Sequence, residues 1–164
     1  LAFTEPGALF DGDSLYVSLV CADWTSTSVV LVRSGTGGRW EHLGTVMDRD
    51  DAQAILNAAM GLAAPDVGGV SASELTRVEG EPTLIVSPVL GDYRGCWFFG
   101  LDLQEPAILP TVLGTPTVVV ENTPDSILSG VCAFHEAATE TGILFGEATF
   151  NAPQFRLFAT GRFP

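Results

Sequence analysis

Three ionisable residues lie in or beside apolar, strand-like segments of this chain. Glu5 is in TEPG, Glu74 in SELT and His135 in CAFHEA. Two carboxylates that face one cavity could act as general acid and stabilising base in the hydrolysis of a glycosidic bond. Shared burial would push their pKa values apart, which this chemistry needs. The alternative for each glutamate is a structural hydrogen bond to a neighbouring loop.

His135 adds an imidazole to the two carboxylates. It could serve as a general base or bind a metal, although a histidine in an apolar strand is more often structural. Glu5, Glu74 and His135 together could hold one Ca²⁺ or a transition ion. The acidic clusters at 11–13 and 48–51 do not match the spaced calcium-loop signature. No other cofactor is indicated, because nucleotide loops, GxSxG elbows and HExxH helices are absent from the sequence.

Aromatic and basic residues in two turn regions could contact a ligand. Tyr93 and Arg94 follow the VLGD turn, and Trp24 follows CAD. An aromatic ring and a guanidinium on one loop suit a sugar ring or a carboxylate. A structural role for these loop residues is an equally open alternative. Trp40 and Trp97 are instead expected to serve the packing of the blades.

The composition excludes several classes of partner. Hydrophobic residues make up 46% of the 164 residues and charged residues 16%, which is typical of a folded domain. The net charge is −13, there is no lysine, and the seven arginines are spread along the chain. Nucleic acids and anionic membranes require clustered positive charge, so we expect neither as a partner. The negative charge fits cations, neutral substrates such as sugars, or solubility alone.

The three cysteines do not indicate a metal site. Cys21, Cys96 and Cys132 have no CxxC spacing, and each lies in an apolar, strand-like context. We expect buried free thiols that act as small hydrophobic side chains. An odd number of cysteines leaves at least one thiol unpaired within the chain. The cysteines do not decide between an oxidising and a reducing compartment.

Short β-branched runs separated by glycine and proline predict many short strands. One segment, residues 48–63, predicts a helix because acidic residues precede an Ala- and Leu-rich stretch. The predicted strands lie near 6–10, 14–21, 28–33, 39–46, 73–78, 83–88, 95–101, 107–112, 117–121, 130–135, 142–148 and 154–160.

The strand pattern repeats, with a short strand, an acidic turn, an apolar strand and one or two further strands in each unit. Such a four-stranded antiparallel meander is one blade of a β-propeller. The sequence therefore predicts an all-β domain of about three blades, with Glu5 and Glu74 at equivalent strand starts. The predicted units are 1–47, 68–122 and 128–164, with 48–63 as a helical connector.

About three blades cannot close a ring, since propellers have about four to eight. The exposed faces of the blades would then remain in contact with solvent. We therefore expect self-association, as a homodimer that completes the ring. A single β-sandwich or an open barrel built from the same strands is the competing fold.

The blade pattern resembles a known group of enzymes. TEPGALFDGDSLYVSL is similar to the opening strand pair of five-bladed-type propeller glycoside hydrolases, the arabinanase–levanase group and its sialidase-like relatives. ASELTRVEGEPTLIVSP resembles a later blade of that group, and RWEHLG and GCWFFGLD resemble its outer strands. Those enzymes use acidic residues from different blades. The resemblance implies a hydrolase whose carboxylates, here Glu5 and Glu74, lie at the propeller axis.

The function expected on these grounds is hydrolysis of a glycan or related small substrate. One alternative is a calcium-assisted esterase or phosphotriesterase, since some propeller hydrolases resemble that arrangement. A second is a lectin-like sugar-binding module without turnover, and a third is a structural remnant. Analogy with glycan-acting propellers favours a secreted or periplasmic location.

Overall fold

The computed structural model of the protein describes residues 2–60, 66–78, 80–89, 97–109, 126–134, 143–149 and 155–159. Eleven strands and one helix lie in these ranges, in the order β1 Ala2–Asp11, β2 Ser14–Ala22, β3 Thr27–Ser34, β4 Trp40–Met47, α1 Arg49–Met60, β5 Gly69–Val78, β6 Glu81–Val89, β7 Trp97–Asp102, β8 Ala107–Leu109, β9 Ser126–Phe134, β10 Ile143–Thr149 and β11 Phe155–Ala159. The prediction of an all-β fold with one helix is confirmed. None of the described helical residues forms a span long and apolar enough to cross a membrane.

The strands form consecutive antiparallel meanders. Strands β1 to β4 pair in sequence order and form the first blade. Strands β5 to β8 form the second blade in the same way, and β9 to β11 form a separate three-stranded sheet. The only link between the first two blades among the described pairings is one parallel pair, Thr27 with Gly69. The sheet is not closed, as expected for a partial propeller.

The main core lies between the first and second blades. Alternate residues of β2 and β3 face alternate residues of β6 and β7, because side chains on a strand point to opposite faces in turn. Trp97 and Phe99 pack there edge to face, with ring centroids 6.3 Å apart. The predicted packing role of Trp97 is therefore confirmed. Members of this core include Tyr16, Val20, Val29, Leu31, Leu75, Leu84, Val86, Trp97, Phe99 and Leu101.

Helix α1 connects the two blades and closes one side of the core. Asp48 caps it, since its carboxylate accepts hydrogen bonds from the amides of Asp50 and Asp51 at 2.8 and 3.0 Å. Ala52 and Leu56 are buried against the blades. The Arg49 side chain donates to the carbonyl of Val67 at 2.7 Å, which ties the helix to the segment before β5.

The opposite face of the first blade is largely exposed, although Val30 near its centre is buried, with 6% of its surface exposed. Residues on this surface, the outer face, alternate with those of the core, and cross-strand partners such as Ala8 with Val17 and Leu19 with Val30 share it. Phe3 is 58% exposed and Phe10 71% exposed. The face comprises Phe3, Ala8, Phe10, Leu15, Val17, Leu19, Cys21, Ser28, Val30, Val32, Ser34, Trp40, His42 and Thr45.

Candidate functional site

The first strands of the two blades are interrupted in the same way. The pairing of β1 with β2 shifts between Thr4 and Gly7, and that of β5 with β6 shifts between Ser71 and Glu74. At each shift two residues oppose one on the partner strand, which defines a β-bulge. Bulges are frequent beside active sites because they redirect side chains. The two bulges therefore mark one end of the blades as a candidate site.

Each bulge contains a residue in a left-handed backbone conformation. Glu5 has a φ of 50° and Ala72 a φ of 54°. This region is sparsely populated by residues other than glycine, and such strain is concentrated at functional sites. Proteins retain it only where surrounding contacts hold the backbone in place.

Hydrogen bonds between the bulges supply that constraint. The Glu5 carboxylate accepts a bond of 2.5 Å from the amide of Ala72. The hydroxyl of Ser73 donates to the carbonyl of Glu5 at 2.7 Å. The buried hydroxyl of Ser18 in turn donates to Ser73 Oγ at 3.1 Å. We call Glu5, Ala72, Ser73 and Ser18 the bulge clasp; it fixes the backbone and carboxylate of Glu5 against β5.

Gly7 allows the two strands to come close together. A Cβ atom at this position would lie 2.5 Å from both the Glu74 Cα and the Leu75 amide nitrogen. Both are backbone atoms and cannot move aside cheaply. The close approach brings β1 directly against the backbone of Glu74.

Glu74 has the most strongly perturbed carboxyl group among the described residues. Burial raises the pKa of Glu74 to about 7, and a hydrogen bond from the Leu75 amide opposes the rise only in part. Glu74 lies on the opposite face of β5 from the core residue Leu75, and β9 contacts this strand. A carboxyl group with this pKa is partly protonated near neutral pH and can donate its proton to a leaving group.

The structure corrects the predicted equivalence of the two glutamates. Glu5 matches Ala72 rather than Glu74, since both are the left-handed residues of their bulges, 67 positions apart. Glu74 matches Gly7, where pairing resumes after the bulge. The Glu5 carboxylate nevertheless reaches the strand that carries Glu74, two residues before it.

Trp24 lies at the same end of the first blade as the bulge clasp. It follows β2, whose last residue, Ala22, pairs with Ala2 at the start of β1. Its side chain is fully exposed, with a relative exposure of 103%. The turn is ordered by Asp23, whose carboxylate accepts bonds of 2.6 to 2.8 Å from the Thr25 hydroxyl and the amides of Thr25 and Ser26. These hydrogen bonds, from Thr25 first, lower the pKa of Asp23.

Trp40 does not have its predicted packing role. It is 57% exposed at the start of β4. Its cross-strand partner is Ser34, at the end of the blade away from Trp24. The prediction failed because β4 is the outermost strand of its blade, and none of the described strands pairs with its outer edge.

Three of the predicted site residues, His135, Tyr93 and Arg94, lie outside the described residues. Across the described ranges, no group of three or more His, Cys, Asp or Glu side chains could hold a metal ion. The proposed calcium site, which needs His135, therefore stays a prediction. Cys21 is free, as expected, but it is half-buried rather than buried.

Sequence reasoning missed the clasp residues Ser18, Ala72 and Ser73. Small residues in an SAS segment look like a turn, and nothing local shows that Ala72 has a positive φ. For Ala72 and Ser73 the one available signal was that the SAS segment directly precedes Glu74.

Comparison with known proteins identifies the fold. No family model and no curated protein matches the chain. The sucrose-6-phosphate hydrolase of Lactobacillus gasseri is similar in structure over 98% of this chain and 36% of that chain, with a TM-score of 0.53 and 16% identity. A GH32 β-fructofuranosidase of Bombyx mori is similar over 65% of this chain and 22% of that chain, with a TM-score of 0.47 and 20% identity.

The chain thus spans 36% or less of the length of these two structures. At 16% identity the likeness to the Lactobacillus gasseri enzyme shows the fold alone. That fold is consistent with the blades of a partial β-propeller.

Proposed function

We propose that this chain forms part of a propeller glycoside hydrolase in which Glu74 is the general acid and Glu5 the partner carboxylate. The observation that carries the proposal is the burial of Glu74, which raises its pKa to about 7, so that about half of these carboxyl groups keep the proton at neutral pH. Glycoside hydrolysis requires one carboxyl group that donates a proton and a second that stabilises charge or activates water. The bulge clasp supplies the second group in a fixed position.

Each residue has a defined task in this mechanism. Glu74 donates its proton to the glycosidic oxygen as the bond to the leaving sugar breaks. The carboxylate of Glu5, oriented by the Ala72 amide, faces the developing positive charge on the sugar ring. Trp24, exposed at the same end, offers an apolar ring face to a sugar. Tyr93, Arg94 and His135 are further proposed contacts.

Turnover of chromogenic glycosides by wild-type protein and by Glu74→Gln tests the proposal. The variant should lose about 100-fold or more in rate, since general acid catalysis contributes about 10²–10⁴-fold. The wild-type rate should fall as pH rises through about 7, because Glu74 then loses the proton it must donate. Glu81→Gln is the control, since Glu81 is exposed at the opposite end of β5 and β6. Equal rates for Glu74→Gln and wild type would refute the assignment.

A sugar-binding module without turnover is the second candidate, favoured by the full exposure of Trp24. Binding without cleavage, unaffected by Glu74→Gln, would select it. Turnover of esters or phosphotriesters that EDTA abolishes would select the calcium-assisted alternative. A secreted or periplasmic location is a further prediction that follows from a glycan substrate.

A further inference from the structure

The outer face of the first blade is a large apolar surface on a strongly acidic protein. Phe3 and Phe10 are 58% and 71% exposed, and Leu15, Val17, Leu19 and Val32 are only half-buried. No Asp, Glu or Arg lies on this face in the paired parts of the four strands. Contiguous exposed apolar surface of this kind marks an interaction site.

The other face of the same sheet shows what such a surface packs against. That face, which includes Tyr16 and Leu31, is covered by the apolar face of the second blade. The second blade is itself buried on both faces, since Ile85 and Phe98 on its far side are both 0% exposed. Only the first blade therefore has an uncovered apolar face among the blades whose side chains are described.

We propose that the outer face of the first blade binds the same face of a second copy of this chain. The packing would be sheet on sheet, apolar against apolar, as on the other side of the blade. A twofold contact of identical faces closes with two copies, so it yields a dimer and no larger assembly.

The size of the face fits this partner. Four strands about 4.8 Å apart and about eight residues long, at about 3.3 Å per residue, give a flat footprint of about 500 Å². Side chains that project from the sheet raise the accessible area above this value. A stable dimer of standard size buries about 800 Å² on each partner, so the whole face must take part.

Charge also favours a second copy over an oppositely charged partner. The chain carries a net charge of −13, yet no carboxylate lies on this face in the paired parts of its four strands. Two copies can thus join here without placing like charges in contact. Their remaining long-range repulsion is screened by salt, so the dimer should strengthen as ionic strength rises. A contact built on ion pairs would weaken instead.

Light scattering and sedimentation over a concentration series test the proposal. The expected mass at high concentration is twice the chain mass of 17.3 kDa, falling to one chain mass on dilution. Phe10→Glu should give one chain mass at every concentration, because it places a charge in the contact. Trp24→Glu is the matched control, since Trp24 is an exposed aromatic residue outside the face, and it should remain dimeric.

Cys21 provides a second measurement on the wild-type protein. Its half-buried thiol lies on the outer face, opposite Phe3. Alkylation of the Cys21 peptide, followed by mass spectrometry, should slow at least severalfold between dilute and concentrated protein. A single-chain mass at all concentrations, or equal dissociation by Phe10→Glu and Trp24→Glu, would overturn the proposal. Concentration-independent alkylation in a dimeric sample would also overturn it, because the contact would then lie elsewhere.

Discussion

The Glu5 carboxylate accepts a hydrogen bond from the Ala72 amide across two strands that are not neighbours in the sheet. Both residues have a positive φ, of 50° and 54°. Each strained backbone therefore stabilises the other, which explains how two unfavourable conformations persist at one place. The relationship also connects the two blades at the end that carries Glu74 and Trp24.

The first prediction concerns the stability of Glu74→Gln. The pKa of Glu74 is raised from 4.5 to about 7 in the folded protein, so the native state holds a proton that the unfolded state has lost between these values. Wild-type stability should therefore fall as pH rises from about 4.5 to 7, and Gln should remove this loss. We expect the free energy of unfolding of the variant to equal that of wild type at pH 4 and to exceed it by about 1–2 kcal/mol at pH 8. This value is smaller than the full pKa shift would give, because part of the side chain is exposed to water.

Urea unfolding of the two proteins at pH 4, 6 and 8 measures this difference. Glu81→Gln, at an exposed position, should follow the wild-type pH profile. A constant difference between Glu74→Gln and wild type at all three pH values would show that Glu74 does not titrate near 7.

Ser73→Ala should loosen the bulge clasp. It removes the donor to the Glu5 carbonyl and the acceptor of the Ser18 hydroxyl. Loss of these bonds should lower the free energy of unfolding by about 1–2 kcal/mol and reduce turnover more than substrate binding. A Ser73→Thr variant keeps the hydroxyl and should recover part of both. Equal kcat for Ser73→Ala and wild type would separate the clasp from catalysis.

Gly7→Ala should disrupt the contact between β1 and β5. The added methyl group would meet backbone atoms of Glu74 and Leu75 at 2.5 Å, so one strand must shift. We expect destabilisation of about 1–3 kcal/mol or more, as for other overpacked positions. Gly68→Ala is the control, because the atoms nearest to its added Cβ would be those of Val89, at 3.4 Å or more. Thermal unfolding of both variants measures the difference, and similar melting temperatures would argue against the close approach.

Trp24→Ala should weaken carbohydrate binding without changing stability. The side chain is fully exposed, so its removal should alter the free energy of unfolding by less than about 0.5 kcal/mol. Loss of an aromatic platform should lower affinity about three- to tenfold, equivalent to about 0.5–1.5 kcal/mol. Calorimetric titration with oligosaccharides measures this. Trp40→Ala, at the other end of the blade, should bind normally; equal losses would indicate an indirect effect.

The strands that follow the first strand of each blade match their predicted ranges closely. Their alternation of apolar and polar residues can be recognised from neighbouring positions in the sequence. Strand β2 was expected at 14–21 and extends over Ser14–Ala22. The helix expected at 48–63 is found at Arg49–Met60, where the acidic cap and buried Ala52 and Leu56 are readable from the sequence.

The first strand of each of these two blades matches its prediction less well, since it begins about four residues earlier than expected. β1 begins at Ala2 and β5 at Gly69, against predicted starts at 6 and 73. The early residues lie just before Pro6 in β1 and include Gly69 in β5, and both of these residues look like turn signals. They are strands only because a bulge absorbs the irregularity and the facing blade supports it.

The sequence by itself therefore determined the all-β class, the blade pattern and the acidic surface, because periodicity, turn residues and charge are local properties of the chain. The tertiary structure alone decided that Glu5 matches Ala72, that Glu74 is buried enough to hold a proton near neutral pH, and that one blade face is left open. These features depend on contacts between strands that are about seventy residues apart, and no local pattern encodes such contacts.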